Sequence, residues 1–432
     1  MSPNSESRSP MPMPEDLILW DVVEEHLDEA AFLWTQWERG LHSPLYQLHT
    51  LRDRVEERML AHLDGLVVGG EAVAQRLLYP ALTEGLGGIA FAAAMALLLS
   101  GRPAAEEAVC SALAAAAPPQ REEIIRALCL GPSPSRQARL LGLISGEVPG
   151  ARSASARILG FQQVDLGSAL LRLFQGSDRE EWLAGLYGLR YRPRRDCEAA
   201  LVNALRSTDA AIVEAGLLAA SVAQIPGVLD CCRELLRSSH PATPTAALLL
   251  TFLGTESDHT LLVQGAVDMS HPKDIIFALG LCGGRDAMAA CVQWLTSEEL
   301  ALAASESFVS LTGIDAEKEK LLAPTPPMPP DEALPDGDAD LDLPSEAEIP
   351  LLDAVATAAW WESHRDQFKA SERYFQGQPV SRANPTAWQA ALSQANLRQR
   401  HPLALGLACA SGGSIIIQTA ALCRKQPIGG AA

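Results

Sequence analysis

A dipeptide that joins Ser or Thr to Asp or His recurs through the middle of the chain at a fixed interval. Successive copies lie 31 residues apart at Ser177-Asp178, Thr208-Asp209, Ser239-His240 and Ser270-His271, and Ser297-Glu298 follows after 27 residues. Each copy comes after an apolar run. A fixed period of this size is typical of a stacked array of small units, in which each unit contacts only its neighbours.

Each repeat is predicted to contain two helices. Between Asp178 and Asp209, apolar residues at three- and four-residue spacing define one helix before Pro193 and a second helix after it. Asp178 and Asp209 are suited to cap the helices that follow them, and Pro241 and Pro272 suit a first helical turn. No strand-like alternation interrupts the series, so the sequence predicts an all-α fold.

The same period can be followed towards the N-terminus. Steps of 31 residues back from Asp178 reach Glu147, Ala116 and Gly85, each of which precedes a predicted helix. The array is therefore predicted to contain about seven helix pairs and to cover residues 71–313.

Composition limits the classes of partner. The 432-residue chain is 48% hydrophobic but only 5% aromatic, so Ala and Leu supply most of its apolar content, which suits closely packed helices. Its net charge is −19. General affinity for nucleic acid or anionic membrane favours Lys/Arg-rich surfaces. The sequence thus predicts a protein partner and neither a nucleic acid nor a membrane.

Several features predict a cytoplasmic location. The nine cysteines are dispersed and form no C-x-x-C motif, which is typical of reduced core thiols. Residues 1–14 are predicted to be disordered, and they lack the basic start and apolar core of a signal peptide. The uncharged stretches 85–101 and 402–423 are too short, or too interrupted by glycine, to predict a membrane span.

Residues 15–70 are predicted to form an N-terminal helical cap over the first repeat, since the ends of repeat arrays need covering. Trp20, Trp34 and Trp37 lie within this region. The alternative hypothesis is that these tryptophans form a docking surface, because tryptophan is enriched at binding hot spots.

The array is followed by a linker and a second helical region. Residues 323–350 are rich in proline and acidic residues, and the alternating aspartates Asp336–Asp342 fail the glycine and glutamate requirements of an EF-hand loop. Residues 351–425 are predicted to form a small helical segment that packs against the array or extends it as a terminal unit. Its predicted helices cover residues 354–361, 385–397 and 401–410.

The sequence contains none of the common catalytic motifs, and we therefore predict that the protein is not an enzyme. The chain has no H-E-x-x-H, G-x-S-x-G, P-loop or G-x-G-x-x-G pattern. His240 and His271 occupy equivalent repeat positions and are interpreted as helix-start residues, not metal ligands. We expect no catalytic residue, no metal and no cofactor.

One basic cluster contrasts with the acidic background. It lies around Pro193 and is a candidate site for carboxylate or phosphate groups. The cluster consists of Tyr187, Arg190, Tyr191, Arg192, Arg194 and Arg195. Two interpretations remain open: a solvated turn that pairs with Asp178, Glu180 and Asp196, or an anion site for an acidic partner or for the linker of the same chain.

The paired helices, the 31-residue period and the Asp or Ser-His-Pro boundaries resemble HEAT-like repeats, including short forms in bilin-lyase-like proteins. This resemblance implies an α-solenoid of stacked helical hairpins. Ile18–Glu25, Trp360-Trp361 and Arg373–Gly377 are similar to a narrower proteobacterial group, often encoded near type VI secretion spike and effector genes. No catalytic residues are established for that group, so none is carried over.

The leading hypothesis is a non-catalytic scaffold, an adaptor or chaperone for a secretion spike or effector protein. The first alternative is a HEAT-fold enzyme, either bilin-lyase-like or DNA-glycosylase-like. The second is a purely structural assembly subunit. The sequence does not predict the oligomeric state.

Overall fold

The computed structural model describes residues 18–146, 149–324, 348–381 and 384–426. The described chain is mostly α-helical, which confirms the predicted all-α class at that level. Three predictions fall outside the described residues: the disorder of residues 1–14, most of the 323–350 linker, and the repeat step at Glu147. Within the described residues, no helix combines the length and the apolar character that a membrane crossing requires.

The chain divides into two compact units. Unit 1 contains the described residues up to Glu38 together with Arg52–Ile158, and unit 2 contains Arg39–Leu51 together with the described residues from Leu159 onwards. The first helices are α1 (Trp20–Gly40), α2 (Leu48–Leu51), α3 (Glu57–Val68), α4 (Gly70–Val73) and α5 (Tyr79–Glu84). Two π-helical segments, Arg52–Glu56 and Ala74–Leu78, lie between them.

Further helices then follow one another along the chain. They are α6 (Ile89–Leu99), α7 (Pro103–Ala115), α8 (Pro118–Leu130), α9 (Pro134–Ile144), α10 (Pro149–Phe161), α11 (Ala169–Arg172), α12 (Arg179–Tyr191), α13 (Glu198–Leu205), α14 (Ala210–Val222), α15 (Val228–Arg237), α16 (Thr243–Leu253), α17 (Glu256–Gly265), α18 (Pro272–Leu281), α19 (Arg285–Trp294) and α20 (Ala301–Thr312).

The even-numbered helices from α6 to α20 begin at intervals of 29 to 33 residues. Their first residues are Ile89, Pro118, Pro149, Arg179, Ala210, Thr243, Pro272 and Ala301. The predicted caps explain two of these starts: Asp178 accepts a hydrogen bond from the Glu181 amide, and Asp209 accepts from the Ala211 and Ile212 amides. Where Pro241 was expected to start a helix, α16 begins two residues later, because a turn held by His240 Nδ1 and the Ala242 amide comes first.

In unit 2 the even-numbered helices contact one another in chain order, from α12 to α20. Each also packs on the helix that precedes it: α13 on α14, α15 on α16, α17 on α18 and α19 on α20. Hydrogen bonds between residues about 31 positions apart in the sequence join successive repeats. Arg179 donates to Asp209, Thr245 to Glu214, and Ser307 Oγ to the Ile276 carbonyl, across 30, 31 and 31 residues.

Unit 1 repeats this arrangement around α6. Helix α6 packs against α5, α7 and α8, and α3 covers a further side of it. Glu123 of α8 accepts hydrogen bonds from the Gly88 and Phe91 amides and so caps α6, which has no capping side chain of its own. Gln120 donates to the Gly85 carbonyl one turn earlier.

The C-terminal segment consists of α21 (Ala354–His364), α22 (Pro385–Gln394) and α23 (Leu397–Ala410). All three match predicted helices, but α23 begins four residues before the predicted start because Asn396 caps it by accepting from the Gln399 amide. Helix α23 lies against α14 and α16, and α21 lies against α19. The segment therefore packs along the repeat helices of unit 2, which was one of the two predicted placements.

The structure also contains a small antiparallel sheet that the sequence analysis did not predict. Its strands are β1 (Gly283–Gly284), β2 (Arg373–Phe375) and β3 (Gln378–Pro379), in the order β1-β2-β3. Gly283 pairs with Tyr374 and Phe375 with Gln378. Strands of two or three residues are too short to show an alternating pattern, which explains why the sequence did not indicate them.

Gly406 allows α23 to approach α22 closely. A Cβ atom at Gly406 would overlap the ring of the buried Trp388. We predict that Gly406→Ala lowers the free energy of unfolding by about 1–3 kcal/mol, because an extra methyl group in a filled core forces its neighbours apart. Urea denaturation of the full chain measures this change.

Gly142→Ala provides the matched control. Gly142 is also helical, in α9, but a Cβ atom there meets nothing within 4 Å. Alanine should therefore stabilise this site by about 0.5–1 kcal/mol through its higher helix propensity. Equal losses of stability in the two variants would contradict the close packing of α23 on Trp388.

Candidate binding surfaces

The predicted basic cluster lies at the end of α12 and in the turn that follows. Hydrogen bonds fix the position of Arg194 in this turn. Arg194 donates to the Gly167 carbonyl at 2.7 Å and, with two nitrogens, to the carboxylate of Asp196 at 3.0 and 2.6 Å. It also reaches Asp165 at 3.3 Å. The hydrogen bond from Arg194 lowers the pKa of Asp196 below its usual value. Arg194 therefore organises the turn.

Arg192 and Arg195 lie on the exposed side of the same turn. Arg192 is within 3.6 Å of Asp165 and donates to the Gln163 carbonyl at 3.4 Å. The side chain of Arg195 is exposed and makes no hydrogen bond or ion pair with any residue that the structure describes. These two guanidinium groups are the part of the cluster that a partner can reach.

Arg190 and Tyr191, at the end of α12, lie beside the C-terminal segment of unit 2. The rings of Tyr187 and Tyr191 meet edge to face at 5.0 Å, and the Arg190 guanidinium lies 5.5 Å from the Tyr191 ring. Tyr191 Oη lies 3.4 Å from Gln418 Oε1. Arg190 and Tyr191 also line a narrow crevice with His401. The cluster is thus divided between an exposed turn and an internal contact.

The three tryptophans of the candidate docking surface lie in different environments. Trp34 and Trp37 are buried in unit 1, where Trp34 stacks on Phe91 of α6 at 3.4 Å between ring centroids. Trp37 Nε1 donates to the buried carboxylate of Glu56 at 3.0 Å. Trp20 is half-buried beneath the Arg76 guanidinium, 4.0 Å from its ring. Trp34 and Trp37 are core residues, whereas Trp20 reaches the surface.

Sequence reasoning missed Arg373, which joins the C-terminal strand to the repeat helices of unit 2. Its guanidinium donates to the carbonyls of Thr251 and Gly254 at 3.0 and 2.7 Å, at the end of α16. His259 Nε2 lies 2.8 Å from the same Thr251 carbonyl. A cleft of about 170 Å³ beside these residues is lined by groups that already stabilise the fold. The only sequence signal was the basic residue within Arg373–Gly377.

The cysteines are buried thiols, with the exception of the half-buried Cys231. Burial raises the pKa of Cys129 and Cys291 to about 12 and that of Cys197 and Cys282 to about 11. These four thiols are therefore protonated at neutral pH and are poor nucleophiles. Within the described ranges, no group of three or more His, Cys, Asp or Glu residues is arranged to hold a metal ion.

His401 is a half-buried imidazole in the contact between α23 and the Arg39–Leu51 segment. Its Nε2 donates to the Leu41 carbonyl at 2.9 Å, which leaves Nδ1 to accept from Thr419 Oγ1 at 2.7 Å. Burial, together with the charge of nearby His42, lowers the pKa of His401 from 6.5 to about 4. The neutral ring is thus the form that the folded chain requires.

No model of a known protein family matches this chain, and no curated protein matches it either.

The depressed pKa of His401 predicts acid sensitivity. Its stabilising contribution is fully present above pH 6.5, where the unfolded chain is also neutral, and is lost as the pH falls through about 4. We expect His401→Gln to reduce the slope of unfolding free energy against pH between these values by up to about 1.4 kcal/mol per pH unit, which corresponds to one proton. Urea titrations across this range measure the slope, and identical slopes in the two proteins would contradict the assignment.

Proposed function

We propose that this chain is a non-catalytic protein-binding scaffold whose helix pairs form a HEAT-like α-solenoid. The observation that carries this proposal is the series of hydrogen bonds between residues about one repeat apart in the sequence, such as Arg179 with Asp209 and Ser307 with Ile276. Repeats that are fixed to their neighbours in this way produce rigid, extended surfaces suited to binding another protein.

In unit 2, the exposed turn after α12 is the surface best suited to a partner. Part of the surface of α14 and α16 is already covered by α23. The turn after α12 presents Arg192 and Arg195 on a chain with a net charge of −19. Two outward guanidinium groups on an acidic protein favour a partner that brings a carboxylate-rich segment to this turn.

The proposed partner class is a secretion spike or effector protein, for which the chain would act as an adaptor or chaperone. This part of the proposal rests on the resemblance of Ile18–Glu25, Trp360-Trp361 and Arg373–Gly377 to the proteobacterial group described above. The described cysteines are consistent with a non-catalytic role, because the buried thiols are held in their protonated form.

The test is affinity capture of the full-length tagged chain from the lysate of its native host, with mass spectrometry and an absorbance spectrum of the eluate. We predict a stoichiometric, colourless complex with a spike or effector component. The double variant Arg192→Glu/Arg195→Glu should retain about one tenth of that partner or less, because interface arginines are frequent hot spots worth more than 1 kcal/mol.

Arg206→Glu/Arg237→Glu is the matched control, since it changes the charge equally at two exposed arginines outside the turn after α12. Arg206 directly follows α13, and Arg237 is the last residue of α15. This control should capture the partner as well as the unchanged chain does. Equal loss in both variants would indicate a general charge effect and contradict the proposed surface. An eluate without a protein partner, or one that carries a coloured tetrapyrrole, would contradict the scaffold proposal.

A further inference from the structure

A cleft of about 330 Å³ opens beside the first turn of α15 in unit 2. The end of α14, the turn into α15, the end of α16, and α23 supply its walls. Ile225, Val228, Leu253 and Cys409 form its apolar part. Its volume lies at the lower end of the range for small-molecule sites, which is about 300–1,000 Å³.

The start of α15 directs hydrogen-bond donors towards this cleft. The helix has ten residues, begins after Gly227 with φ 83°, and has no capping side chain. Among the described residues, nothing accepts a hydrogen bond from the amides of Val228, Leu229 or Asp230. Unpaired first-turn amides and the helix dipole together favour a negatively charged or strongly accepting group.

Ser221 is a second, independent indication of a ligand. It lines the cleft from the last turn of α14, yet its side chain is 2% exposed. Its Oγ has no hydrogen-bond partner among the described residues. Because a buried hydroxyl without a partner costs free energy, such a group beside a cleft is expected to bond to whatever occupies it.

The charges around the cleft select the class of ligand. Arg233 also lines it, but its guanidinium pairs with both oxygens of Asp258 at 2.7 and 2.9 Å and with Asp230 at 2.5 Å. Asp230 also lines the cleft, so the two carboxylates exceed the one guanidinium by one negative charge, and the donors that the site offers are neutral. This balance suits a singly charged carboxylate better than a doubly charged phosphate, and the apolar wall suits a hydrocarbon chain.

We propose that this cleft binds a small aliphatic carboxylate. The carboxylate accepts hydrogen bonds from the first-turn amides of α15 and from Ser221 Oγ, and the hydrocarbon part packs on Ile225, Val228 and Leu253. The site is independent of the protein-binding surface proposed above.

The test uses hydrogen–deuterium exchange of the full chain with sodium butyrate as the probe, compared with butyramide and inorganic phosphate at equal ionic strength. First-turn amides without acceptors exchange rapidly, so saturating butyrate should slow exchange in the peptide that contains Val228–Asp230 by about threefold or more. Butyramide and phosphate should give weaker protection. No protection by butyrate, or equal protection by all three probes, would overturn the proposal.

Ser221→Ala should raise the butyrate concentration for half-maximal protection about fivefold, the usual effect of one lost hydrogen bond. Ser155→Ala is the matched control, because Ser155 is also buried and without a hydrogen-bond partner among the described residues but does not line the cleft. Leu229→Pro removes the amide N–H of the second residue of α15. Proline is compatible with this position, since Pro244 is the second residue of α16. The variant should also show weaker protection from exchange by butyrate. Equal butyrate sensitivity of the Ser221→Ala and Ser155→Ala chains would overturn the assignment.

Discussion

A helix that is apolar on every side has to be covered on every side, and this constraint governs how both units are built. Nine of the eleven residues of α6 are buried, as are nine of the eleven in α16. A surface helix needs only one apolar stripe, whereas helices of this kind belong in the middle of a layered structure. Neighbouring repeats bury two sides of each helix, and further parts of the chain have to cover the rest.

The covering elements differ between the units. In unit 1, α3 packs on α6, and Trp34 of α1 stacks on Phe91. In unit 2, α23 lies on α14 and α16, and the turn after β2 donates hydrogen bonds from Gln376 and Gly377 to the carbonyls of Ser310 and Leu311 at the end of α20. Terminal segments thus complete the core, which limits where the proposed scaffold can present a binding surface.

The sequence pattern predicted local structure well, because helix starts depend on nearby chemistry. Asp178 and Asp209 cap their helices as expected. The pattern could not predict contacts between distant segments, such as Arg373 with the carbonyls that end α16. Nor could it separate the basic cluster into Arg194, which organises the turn, and the exposed Arg192 and Arg195. That distinction depends on Asp165 and Gly167, which lie almost 30 residues earlier.

The most direct test of this account is to remove the cover from unit 2. A chain that ends at Pro350 lacks α21, α22 and α23, and it therefore exposes the apolar sides of α14 and α16. We predict that this chain unfolds at a lower temperature than the full chain and binds the hydrophobic dye ANS, as proteins with exposed apolar surface do. An unchanged unfolding temperature without ANS binding would show that the repeat helices do not need the C-terminal segment, and it would contradict the central claim.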